Sequence, residues 1–91
     1  MKVVMEVPII KAQGGPRSAP RLEVDLPFAP HIDMQIWHVA WKDSRKVEGV
    51  ALQFDLNDEP SLIITLEPEH ASDIKEQEQI LEQYKGHGWV V

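Results

Sequence analysis

Helical periodicity occurs in one stretch of this 91-residue chain, about 72–85, whereas the residues ahead of it recur at period two. A chain of this size supports one hydrophobic core and one domain, 1–91, so the pattern calls for a sheet with a single helix to cover it. Strands are expected at about 2–10, 21–26, 33–42, 47–56 and 61–66. Trp89-Val90-Val91 is too apolar for a solvated tail and is expected to dock as a short sixth strand over 89–91. The expected class is therefore α+β: a mainly antiparallel five- to six-stranded meander sheet, or a small half-open barrel, with one C-terminal helix.

The strands differ in how many faces they present. Leu22, Val24 and Leu26 alternate with Arg21, Glu23 and Asp25, which leaves one face of that strand in water. In 2–10, Val3, Met5, Val7 and Ile9 share a face, but Val4 and Ile10 are apolar on the other and Pro8 lacks a donor, which suits an edge or a bulge. The 33–42 stretch carries Met34, Ile36, His38 and Ala40 on one side and Trp37, Val39 and Trp41 on the other, the pattern of a central strand covered on both faces. Val50, Leu52, Phe54 and Leu56 line one face of the fourth strand, and 61–66 is almost continuously apolar. Residues 12–20 combine two glycines with two prolines and read as a mobile loop.

The helix ends are marked in advance. Ser72 or Asp73 can cap the first amides, Asp73 with Glu76 matches a capping box, and Gly86 or Gly88 can supply the left-handed residue that stops the helix.

Charge is divided unevenly. Residues 1–50 hold seven Lys and Arg against six Asp and Glu, and 51–91 hold two against nine, so the net charge of −6 lies almost wholly in the second half. In a meander the loops at 12–20 and 43–46 emerge at one end, gathering Lys11, Arg17, Arg21, Lys42, Arg45 and Lys46. The fifth strand finishes there too and delivers Glu67, Glu69 and Asp73, which makes surface ion pairing the simplest use of those cations.

Chemical signatures are lacking. With no cysteine, thiol nucleophiles, disulfides and zinc–thiolate sites are excluded. His31, Asp33 and His38 have poor ligand spacing for a metal. Gly14-Gly15-Pro16 resembles no phosphate loop, and each serine has a local structural use in a loop, turn, strand start or helix cap. No catalytic residue, cofactor or metal is assigned. No apolar run reaches the roughly 20 residues of a membrane span, and a soluble, cytoplasmic chain is expected.

The apolar inventory exceeds what one short helix can cover, so the functional expectation is a small non-enzymatic interaction or assembly module, a homodimer or the partner of a larger protein. Trp37, Trp41, Trp89 and Val90 are the expected apolar anchors, with Arg17 and Arg45 as loop contacts. A nucleic-acid module using the basic loop end is the alternative, disfavoured by the sequence pI near 5.0.

Overall fold

The computed structural model describes residues 1–12, 14, 18–54 and 56–91. Its elements are β1 (Lys2–Glu6), β2 (Ile9–Lys11), β3 (Arg21–Asp25), β4 (Gln35–Ile36), β5 (Arg45–Phe54), β6 (Pro60–Leu66), β7 (Glu69–Ala71) and α1 (Ile74–Gly86). The fold is α+β. A five-stranded half-barrel sheet has the order β3-β1-β6-β5-β4, and β2 and β7 make a second, two-stranded sheet. Pairing is antiparallel except for β1 with β6 and β2 with β7. Two antiparallel runs, β1–β3 and β4–β5–β6, are thus joined by a parallel seam between β1 and β6.

Three departures from simple alternation shape the sheet. The expected strand 2–10 divides at Pro8, which has no N–H for a ladder. The Pro8 carbonyl instead accepts from the Glu69 N–H at 2.9 Å, and β2 leaves the main sheet to pair with β7. The expected strand 33–42 shrinks to Gln35–Ile36 on the sheet edge, so its apolar residues on both sides do not mark a central strand. Beyond Ile36 the chain turns, the Trp41 N–H bonding the His38 carbonyl at 2.9 Å, and this turn delivers Ala40 and Trp41 into the core. In β5 the register shifts between Val47, opposite Leu66, and Gly49, opposite Thr65. The extra residue of this bulge puts Val47 on the same face as Val50, Leu52 and Phe54, which strict alternation from the sequence would not allow.

The core lies on that face. Val3 and Met5 of β1, Ile64 and Leu66 of β6 and Val47 of β5 are buried with Ala40, Trp41, Tyr84 and Trp89. α1 packs against β2 and β7, so it covers the end of the sheet where β1 and β6 finish and β5 begins.

The helix stops as the sequence suggests and in doing so seals the core. Asp73 is the N-cap, its Oδ1 accepting from the Glu76 N–H at 2.8 Å, and Glu76 accepts in return from the Ser72 N–H at 3.1 Å. At the other end Gly88 has φ +89°, its N–H reaches the Lys85 carbonyl at 3.2 Å, and the Trp89 N–H reaches the Tyr84 carbonyl at 3.1 Å. These two bonds make a Schellman motif, which brings the residue after the glycine back against the last helical turn. The Tyr84 and Trp89 rings accordingly meet edge to face at 5.0 Å. Val90 then exchanges two backbone hydrogen bonds with Arg21, at 2.9 and 2.8 Å, on the free side of β3. The expected strand at 89–91 is reduced to this single bridge.

Nothing lies within 4 Å of a Cβ built on Gly88, so the cost of a side chain there is purely conformational. Gly88→Ala is expected to lower unfolding stability by about 1 kcal/mol, as left-handed backbone disfavours any residue with a Cβ. Denaturant midpoints of the two proteins, with an unchanged slope, check this.

Candidate functional site

Within the expected basic end, Arg21 and Arg45 are spent on internal contacts. Arg21 pairs with Glu6 at 3.0 Å. Arg45 pairs with Glu69, donates to the carbonyls of Glu67 and Pro68 at 3.0 and 3.2 Å, and lies 5.5 Å from the centre of the Trp41 ring. The Lys46 N–H bonds the Glu67 carboxylate at 2.6 Å. A cleft of about 460 Å³ opens here, lined by Lys42, Asp43, Ser44, Arg45, Glu67 and Glu69 among others, with both charge signs interleaved. Arg17 lies outside the described residues.

Beneath the cleft a chain of hydrogen bonds runs into the core. Trp41 Nε1–H donates to the Tyr84 hydroxyl at 2.7 Å, and that hydroxyl donates to Glu69 Oε1 at 3.0 Å, which also takes the Arg45 guanidinium. Burial, with the nearby Glu69 charge, pushes the Tyr84 hydroxyl well above the ordinary phenol range, so it stays protonated and serves as donor and acceptor at once. Gln83 Nε2 donates to the Ala40 carbonyl at 3.1 Å and fastens the same turn to α1. Arg45 Nε is buried without a hydrogen-bond partner among the described residues. These bonds tie the 37–44 turn and α1 to β5 and the start of β7. Tyr84→Phe strands the Trp41 indole N–H and is expected to cost about 1–3 kcal/mol, the penalty of an unpaired buried donor. Thermal or denaturant unfolding reads it directly.

His38 sits on the other side of the aromatic cluster. Its ring centre is 5.7 Å from Trp41, 5.3 Å from Trp89 and 6.5 Å from His87. Nδ1 accepts from the Ala40 N–H at 3.1 Å, with Trp89 Nε1 at 3.5 Å, so the proton of the neutral ring belongs on Nε2. Desolvation, followed by repulsion from His87, lowers its pKa below 6.5. The unfolded chain then binds more protons than the folded one between that lowered value and 6.5, and stability falls as pH drops through this window. His38→Asn, whose amide oxygen can keep the bond to Ala40, is expected to flatten the decline. Unfolding midpoints at pH 7 and just above the carboxylate range test the slope.

A different arrangement occurs at the opposite end of the sheet. Val50, Leu52 and Phe54 continue the core face past Val47, opposite Ile64, Leu62 and Pro60, yet remain 40%, 60% and 57% exposed. Met1, Leu52, Pro60 and Leu62 line a small apolar recess of about 100 Å³ beside them. Among the described residues the edge there is bare as well, because β4 pairs with β5 only at Arg45 and Lys46, and Val47 is the last β5 residue bonded to the 33–34 segment. Ten residues of β5 thus run beside a two-residue neighbour.

The predicted anchors are dispersed. Trp41 and Trp89 are buried in the chain's own core, Val90 is exposed beside its bridge to Arg21, and Arg45 is part-buried in the cleft. Trp37, expected on one face with Trp41, is 61% exposed because the strand ends at Ile36. The open stretch of β5 was not among the expected contacts, although Val50, Leu52, Phe54 and Leu56 at period two are its signal.

Among the described residues no helix is long and apolar enough to cross a membrane. No family model, curated protein or solved structure matches this chain significantly.

Proposed function

We propose that this chain is a small non-enzymatic assembly module, acting in the cytoplasm through protein–protein contact at the open end of its sheet. One observation carries the reading: a single sheet face is closed by α1 and the 37–44 turn at one end, and at the other end leaves Val50, Leu52 and Phe54 in water along a strand whose outer edge has no neighbour among the described residues. Apolar side chains and unpaired backbone groups together mark surface that gains by being covered.

The cations support this reading over nucleic-acid binding. Arg21 and Arg45 are held by Glu6 and Glu69, and the Glu67 carboxylate sits on the Lys46 backbone N–H, so a phosphate chain would meet carboxylates within the same end.

Light scattering over a wide concentration range tests it. The native chain is expected to exceed its 10.4 kDa monomer mass at high concentration and to hold that mass as salt rises. Leu52→Lys, at an exposed site, is expected to restore the monomer while leaving the unfolding temperature of the dilute, monomeric chain nearly unchanged. A chain monomeric throughout that captures a short oligonucleotide at low salt would overturn the proposal in favour of the basic end.

A further inference from the structure

The two edges of the sheet are protected very differently. At the β3 edge Val90 occupies the backbone of Arg21, and Glu23 and Asp25 stand along the rest of the strand. Charges on an edge are a common guard against pairing with other chains. The β5 edge has a two-residue neighbour at its start, and from Gly49 to Phe54 it carries no charge and no proline.

The direction of its backbone groups follows from the register. The Lys46 carbonyl accepts from the Glu67 N–H on the β6 side, while Val47 bonds residues 33 and 34 on the other side. After the bulge, Phe54 lies opposite Pro60, which has no N–H and cannot complete a doubly bonded pair. The same alternation turns the N–H and C=O groups of Val50, Leu52 and Phe54 toward the open edge. Their side chains stand on the apolar face.

Resting on the assembly reading above, we infer that the occupant of this edge is a second copy of the chain, its β5 antiparallel to the first about a two-fold axis through Leu52. In this register Leu52 faces Leu52 and Val50 faces Phe54, so every edge-directed N–H and C=O of the three residues finds a partner. A two-fold perpendicular to the sheet keeps both apolar faces on one side and makes one continuous sheet. Glu48 then faces Leu56 rather than another carboxylate. Two chains that each carry a net charge of −6 need such an uncharged seam to approach closely. Centring the axis on Ala51 instead would leave the edge groups of Phe54 opposite Glu48, whose own groups point to β6.

The native chain has no cysteine, so single substitutions report the register without interference. Residues directly opposite in a bonded pair have Cα atoms about 5.5 Å apart, within disulfide range. Under mild oxidation Leu52→Cys is expected to give a covalent dimer in high yield. Ala51→Cys and Gln53→Cys should each cross-link poorly alone, since like positions are then about 8 Å apart by strand geometry, but readily when the two variants are mixed. Ready self-linking of Ala51→Cys with none at Leu52 would overturn the Leu52 register. A dimeric mass with no cross-link at any of these three positions would place the contact elsewhere on the apolar face, overturning edge pairing but not assembly. A monomeric native chain would remove both.

Discussion

The hydroxyl of Tyr84 is the point on which the upper half of the molecule depends. It receives the Trp41 indole proton and gives its own to Glu69, and its ring carries Trp89. Four separate pieces of chain meet there: the 37–44 turn, β7, α1 and the C-terminal segment. Apart from α1, none has enough local structure to hold itself in place. The turn follows a strand of only two residues, β7 has three residues, and the terminus has one bridge. What orders them is a buried polar group with all its bonds made, in surroundings where an unmade bond is costly.

That closure is local, and the lower half of the sheet follows from its limits. α1 has 13 residues and rests over β2 and β7, so the long strands β5 and β6 extend beyond its reach. The bulge at Glu48 decides what the uncovered part looks like. By resetting the alternation it keeps Val47 in the core and places Val50, Leu52 and Phe54 on the same face below it. The sheet therefore has one sealed end with balanced charges and one open end that is apolar and unpaired.

Much of this was legible in the residues. The Arg21–Leu26 alternation is β3, the 72–85 periodicity is α1 within two residues at its start, and the Asp73 cap and Gly88 stop act as the sequence implies. The convergence of cations and acids at one end also follows from strand direction, and Arg45–Glu69 is its product. The 33–42 stretch was misleading because a run apolar on both sides looks the same whether it is a central strand or a turn that inserts Ala40 and Trp41 into a core. Trp37 and Trp41 consequently part company, and the open strand beyond Val47 takes the place of the tryptophans as the candidate contact.

Sequence alone determined the inventory: strands before a single helix, the helix ends, the uneven charge and an apolar content too large for one helix to cover. These depend on neighbours a few residues apart, where periodicity, capping and backbone preference act. Tertiary structure decided which strands pair, that β1 and β6 run parallel, where the bulge falls and which half of the apolar face is closed. Period-two alternation tells a strand which way its side chains point but not which strand lies beside it, and that choice is made by contacts between residues far apart in the chain.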